Sequence, residues 1–320
     1  MSRIHEALKR AEQERAANQA ASLGERPPKS PVASSVVETP PPPSSESVAL
    51  SELALPRLTK PATLAPEATP GVIDFGTLWA NCARKHWAPD PKVVVFENKD
   101  PFFPGTEQFR TLRSRLYRMR ENQPLQTILI SSAIPAEGKT VVSTNLAYAL
   151  VHQRGCRVLL MDADLRSPRI HTLLGTSVAP GLADYLQNTA NEFEITQRSD
   201  EAGLCFIAAG NHVTHPSELI SSERMKEFLE RVRPMFDWIL IDSPPALPVA
   251  DASVLGGLVD GVLFVVRANS TPAAASQRAC KELRDAHIIG VVLNTSEETP
   301  EYNSYYSSSS YVNPPASAKK

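Results

Sequence analysis

Cysteine is scarce in this chain. There are four in 320 residues, Cys82, Cys156, Cys205 and Cys280, with no C-x-x-C pair. That scatter excludes a disulfide framework and a cysteine-based zinc site, and it fits a reducing compartment. The seven histidines show no metal-ligand spacing. Aromatic residues make up 6% of the chain, and none precedes Phe75. The strongest apolar run, Val262 to Val266, falls far short of the ~18 residues of a membrane-spanning helix. Neither sign of charge dominates, with 33 Lys+Arg against 35 Asp+Glu. A basic surplus for nucleic-acid or polybasic membrane binding is therefore lacking. The opening Met1-Ser2-Arg3-Ile4-His5-Glu6 has no apolar segment of a leader type behind it. These absences predict a cytoplasmic chain with no nucleic-acid partner, brought to the inner face of the plasma membrane only by another protein.

Proline is what the chain has in excess, 28 against 14 Gly. Eleven of the prolines fall within 27–70, among them Pro40 to Pro43, with no Gly and no aromatic residue beside them. Such a stretch cannot bury enough apolar surface to offset its conformational entropy. Residues 23–94 therefore read as a Pro-rich disordered linker. Before it, residues 1–22 read as a short amphipathic helix, with Ile4, Ala7, Leu8 and Ala11 at i, i+3, i+4 and i+7 and Ser2 as N-cap.

From residue 95 the texture changes. Thr127–Ile130, Arg157–Met161, Trp238–Ile241, Gly261–Val266 and Ile288–Leu293 are strand-like apolar runs. Helical patterns at Lys139–His152, Glu223–Val232 and Ala273–Ala286 lie between them. Buried strands interleaved with helices predict an α/β domain over 95–295, a mainly parallel sheet with helices on both faces. Residues 296–320 turn polar, rich in Glu, Tyr and Ser, and read as a flexible tail.

The chemistry concentrates in three places. Ala133-Ile134-Pro135-Ala136-Glu137-Gly138-Lys139-Thr140 matches the P-loop pattern G-x-x-x-x-G-K-[ST] with Ala133 at the first Gly. A strand precedes it and a helix follows, so the loop Pro135–Val141 can cradle a phosphate, with the backbone N–H groups of Ala136–Val141 wrapping its oxygens at a helix N-terminus. Gly138 allows close approach, Lys139 reaches the β- and γ-phosphates, and the Thr140 hydroxyl can ligate Mg2+. Asp162-Ala163-Asp164-Leu165-Arg166 ends one buried strand, and Asp242-Ser243-Pro244-Pro245 ends another. Ligands of open parallel sheets bind beyond the carboxyl ends of strands, so all three motifs belong to one edge of a P-loop NTPase fold.

Together these motifs resemble the Walker A, A′ and B motifs of the bacterial tyrosine kinases that control exopolysaccharide and capsule synthesis. Glu107-x-x-Arg110-x-x-Arg113 is similar to that family's E-x-x-R-x-x-R oligomerisation motif, and Gly181–Leu186 and Pro216–Leu219 look like further family segments. The opening Ser2–Leu8 resembles cytoplasmic kinases encoded with exosortase-type polysaccharide systems. The resemblance covers roughly 95–295. It implies an ATP- and Mg2+-dependent protein-tyrosine autokinase that phosphorylates tail tyrosines in trans, here Tyr302, Tyr305, Tyr306 and Tyr311. It implies a homo-oligomer, protein substrates and a separate membrane-embedded polysaccharide co-polymerase as activator. In that reading Thr140, Asp164 and Asp242 hold Mg2+, Asp162 is the base for the tyrosine hydroxyl, and Arg166 neutralises developing charge. Base and metal roles are interchangeable between Asp162 and Asp164 at this level. Two rivals share the fold: a MinD/ParA-like ATPase and a non-catalytic ATP-binding regulator of a polysaccharide machine. The first carries a Lys four residues before the second motif Gly, where this chain has Ile134. Asp74-Phe75-Gly76 and Ala65-Pro66-Glu67 stand in the wrong order for eukaryotic-type kinase motifs.

Overall fold

Parallel strands buried on both faces need apolar side chains at consecutive positions, and every residue of β2 (Thr127–Ser132), β3 (Val158–Asp162) and β6 (Trp238–Asp242) is buried. The structure is a computed structural model and describes residues 73–98, 103–199 and 203–295. Its sheet adds β1 (Ala83–Arg84), β4 (Thr196–Arg198), β5 (Leu204–Ile207), β7 (Gly261–Arg267) and β8 (Ile288–Asn294), in the order β1-β4-β5-β3-β6-β2-β7-β8. Every neighbouring pair is parallel except β4 with β5. The predicted mainly parallel α/β sheet is thus the fold observed.

Helices cover both faces. On one side lie α2 (Pro104–Arg120), α3 (Lys139–Val151) and α4 (Ile170–Leu174). Leu116, Leu146, Leu150 and Ile170 pack there with Ile128, Leu160 and Leu240 of the strands. On the other lie α1 (Phe75–Asn81), α5 (Leu182–Leu186), α6 (Glu192–Ile195), α7 (Pro216–Ile220), α8 (Glu223–Val232), α9 (Asp251–Gly256) and α10 (Ala273–Glu282). There Leu78, Leu182, Phe228 and Leu255 meet Leu129, Met161 and Ile241. Alternate strand residues thus serve two cores. Helix α8 shows the ordinary one-sided pattern, burying Met225, Phe228, Leu229 and Val232, and Ser222 caps it by accepting the Met225 N–H. Helix α3 is buried almost all round, which fits a helix wedged under α2 against the sheet centre.

The linker boundary needs correction. Residues 73–94, read as disordered, fold onto the domain. Leu78, Cys82, Trp87 and Val94 are buried, and the Trp87 ring meets Phe206 edge-on at 6.0 Å. The Asn145 side chain of α3 accepts the Val95 N–H and donates to the Val93 carbonyl, both at 2.8 Å. The segment is ordered by these distant partners and not by a period of its own. Strands β1, β4 and β5 add to the expected set; at two to four residues they are too short to show a pattern in the sequence. Helix α10 stops at Glu282, four residues before the expected end. The N-terminal helix over 1–22, the linker up to residue 72 and the tail lie outside the described residues. Among the described residues no helix is long and apolar enough to cross a membrane.

Candidate active site

Strand register gathers the three motifs. Ile130 of β2 pairs with Asp242, the last residue of β6, and Asp242 pairs with Asp162, the last residue of β3. The phosphate loop and both acidic motifs therefore leave the same edge side by side. Beyond the strands, Ala246 N–H donates to Ser132 O at 2.8 Å and Ser243 Oγ to Ile130 O at 3.1 Å, so the 242–247 loop runs along the phosphate loop.

The loop's conformation explains its residues. Ala133 is fully buried and has no left-handed φ, so the first motif Gly is dispensable. Ala136 (φ +63°) and Gly138 (φ +94°) are both left-handed, which curls the loop so that successive amides face inward. Pro135 and Ala136 are exposed, and Ile134, Thr140 and Val141 are half-buried. Lys139 is buried in the first turn of α3.

Glu137, expected only as a loop member, has a second task. Its carboxylate is buried and accepts the Ile134 N–H at 2.7 Å and the Thr271 hydroxyl. Its carbonyl accepts Nδ2 of Asn294, the last residue of β8, at 2.9 Å. The loop is thus stapled to the segment after β7 and to the end of β8.

Asp242 is 1% exposed, and its Oδ1 has no hydrogen-bond partner among the described residues. Burial pushes its carboxyl up to about 7, against the pull of the Thr140 hydroxyl, the Lys139 charge and the Ser143 hydroxyl. A buried, unsatisfied carboxylate oxygen beside a Thr hydroxyl fits a hard, partly hydrated divalent cation such as Mg2+, which takes few protein ligands and keeps waters.

Asp162, the expected base, is held within the fold. It is fully buried, and its oxygens already accept the N–H groups of Asp164 (3.2 Å), Arg169 and Ile170 (both 3.1 Å). Burial first, then the Asp242 charge, raises its carboxyl well above the usual range. It anchors the turn into α4. Asp164 is half-buried and, among the described residues, accepts only the Ser167 N–H, at 3.0 Å. Arg166 reaches Ser217, within the Pro216–Leu219 segment, and Asp251, which lies outside every motif.

The expected oligomerisation trio on α2 divides. Glu107 and Arg110 form an exposed ion pair. Arg113 instead donates to the Ala149 carbonyl of α3 at 2.7 Å, so it secures α2 within the domain. Tyr302, Tyr305, Tyr306 and Tyr311 lie outside the described residues. Of the domain tyrosines, Tyr148 and Tyr185 are buried, and the Tyr117 hydroxyl accepts Trp238 Nε1–H at 3.1 Å. A polar cleft lined by Tyr185, Asn191, Glu192, Arg224 and Arg231 contains none of the motif residues.

The AAA domain family model matches residues 126–273. The tyrosine-protein kinase YwqD of Bacillus subtilis is 32% identical over 213 residues, spanning 66% of this chain and 90% of that protein. The putative tyrosine-protein kinase EpsB of Ralstonia solanacearum is 35% identical over 196 residues, which are 61% of this chain and only 26% of the relative. Among solved structures, the kinase domain of the Escherichia coli tyrosine kinase ETK superposes with a TM-score of 0.61 at 30% identity, over 67% of this chain and 82% of that one.

Proposed function

The chain belongs to the bacterial tyrosine-protein kinases, and on that premise we propose that it transfers the γ-phosphoryl group of ATP to tail tyrosines of a neighbouring copy, within a polysaccharide-producing system at the membrane. One observation carries the reading: the phosphate loop, the orphan oxygen of Asp242 and the Arg166 guanidinium leave one sheet edge through adjacent strands. That edge would hold nucleotide and metal, with Arg166 as a further cation beside them. A positioning ATPase is disfavoured by Ile134, which stands half-buried where its Lys would be and whose N–H is already given to Glu137.

The loop amides and Lys139 bind the phosphates. Thr140 and Asp242 would hold Mg2+, which neutralises charge on the β- and γ-phosphates when bound. Asp164, more accessible than Asp162, takes the proton of the incoming tyrosine hydroxyl. The phenolic oxygen then bonds to the γ-phosphorus as the bond to the bridging oxygen breaks, and ADP leaves. Arg166 meets the charge that develops on the transferred group. The exposed Glu107–Arg110 pair is the surface offered to a second copy, and a separate membrane-embedded co-polymerase is the recruiting activator.

The test is to incubate the purified chain with MgATP, alone and with such an activator, and to map phosphotyrosine by mass spectrometry. Phosphate on Tyr302, Tyr305, Tyr306 and Tyr311 is expected, and it should vanish in Lys139→Met and after truncation at Thr295. ATP hydrolysis with no phosphotyrosine under either condition would sink the kinase reading in favour of the ATPase.

A further inference from the structure

Asp251 opens α9 and is 2% exposed, yet it brings a carboxylate into the acidic edge of the sheet. Both of its oxygens are occupied. Oδ2 accepts Nε–H of Arg166 at 2.9 Å, and Oδ1 accepts the hydroxyl of Ser217 on α7. Ser217 Oγ in turn accepts Nη2–H of Arg166 at 2.8 Å. The three residues come from three segments, with Asp251 85 positions after Arg166 and 34 after Ser217. They close a ring in which the guanidinium is gripped at Nε and Nη2. Nη1 takes no part in the ring, and the Arg166 side chain remains 40% exposed.

Such an arrangement is a poor device for stability. Burying a carboxylate costs desolvation that its Coulombic partner barely repays, and packed apolar residues hold segments together equally well. It is a good device for orientation. A guanidinium gripped through two of its nitrogens loses its freedom to swing, and its plane is set. We propose that Asp251 is a positioning residue for phosphoryl transfer: directly, and through Ser217, it aims the free Nη1 side of Arg166 at the transferred phosphate. The inference rests on the kinase reading above and assigns its arginine an orienting partner outside the three motifs.

The experiment uses the full chain in four forms: wild type, Asp251→Asn, Arg166→Ala and the double variant. Rates of phosphotyrosine formation and affinity for a fluorescent ATP analogue are measured on each. Asp251→Asn should lower kcat roughly 10- to 100-fold, the range for a misplaced catalytic group, with analogue affinity changed less than about threefold. In the Arg166→Ala background the same change should cost nothing further, because residues acting as one unit are non-additive. A merely structural Asp251 would lower kcat by the same factor in both backgrounds, and that result would overturn the proposal. Equal losses of affinity and kcat would do the same. Should Asp251→Asn fail to fold, Ser217→Ala removes one strand of the grip without unpairing a buried charge. It is expected to slow transfer in the wild-type background only, and a loss that repeats without Arg166 refutes the idea. Wild-type protein that never forms phosphotyrosine fails the kinase reading itself and takes this inference with it, an outcome distinct from multiplying losses in an active enzyme.

Discussion

Gly138→Ala is the sharpest probe of the phosphate loop, because two separate costs can be worked out from the backbone. Gly138 sits at φ +94°, ψ +21°. An alanine in the left-handed region costs about 1–2 kcal/mol relative to its ordinary conformations. The added Cβ would also stand 1.9 Å from Nδ2 of Asn294 and 3.2 Å from its Cγ. No real contact is that short, so the Asn294 amide must withdraw. Withdrawal breaks its 2.9 Å bond to the Glu137 carbonyl, worth about 1 kcal/mol. The sum is about 2–3 kcal/mol, which corresponds to roughly 30- to 150-fold weaker nucleotide binding if the loop must regain this shape around phosphate. Titration with a fluorescent ATP analogue reads that loss, and urea unfolding shows how much appears in the free protein instead. Asn294→Ala alone should cost about 1 kcal/mol. The double variant should be no worse than Gly138→Ala, since the clash is gone and only the backbone term remains. Strictly additive losses, or wild-type affinity and stability in Gly138→Ala, would refute the staple between the loop and β8.

Other outcomes follow from the acids and from α2. Asp164→Asn is expected to cut phosphotyrosine formation by roughly 100-fold or more, the range for a general base, while ATP binding persists. Asp162→Asn should mainly lower the unfolding midpoint, because it weakens acceptance of three backbone N–H groups; the reverse pattern would return the base role to Asp162. Burial raises the Asp242 carboxyl from 3.8 to about 7. A raised acid stabilises the fold while protonated, so that contribution is full below about pH 4 and is lost as pH rises through about 7. The loss amounts to about 4 kcal/mol at 1.36 kcal/mol per pH unit. In metal-free buffer the wild type should therefore weaken from pH 5 to pH 8 more than Asp242→Asn, and parallel urea-stability profiles for the two would contradict this. Replacing Glu107 and Arg110 by Ala should reduce particle mass by light scattering with little change in stability. Arg113→Ala should lower stability by about 1 kcal/mol through its lost bond to Ala149, and unchanged stability would place Arg113 in the interface instead.

The sequence by itself determined the fold class and the position of the site. Strands β2, β3, β6 and β7 are legible because a parallel strand covered on both faces must be apolar without interruption. The phosphate loop is legible because its function depends on residues adjacent in the chain. Parallel topology then requires Asp162 and Asp242, each at the end of such a strand, to share one edge with Lys139. Only the tertiary structure showed that, of two neighbouring acids, Asp162 is fully buried and Asp164 half-buried. Asp162 and Asp164 belong to one motif, and the difference between them lies in the three amides of the following turn. Only the tertiary structure, too, placed Asp251 on Arg166 and Asn294 on the Glu137 carbonyl, across 85 and 157 positions, and drew residues 73–94 onto the domain. Contacts of that range leave no period in the chain. Each ties a motif residue to a partner far along the chain, and it exists only once the sheet has brought the two together.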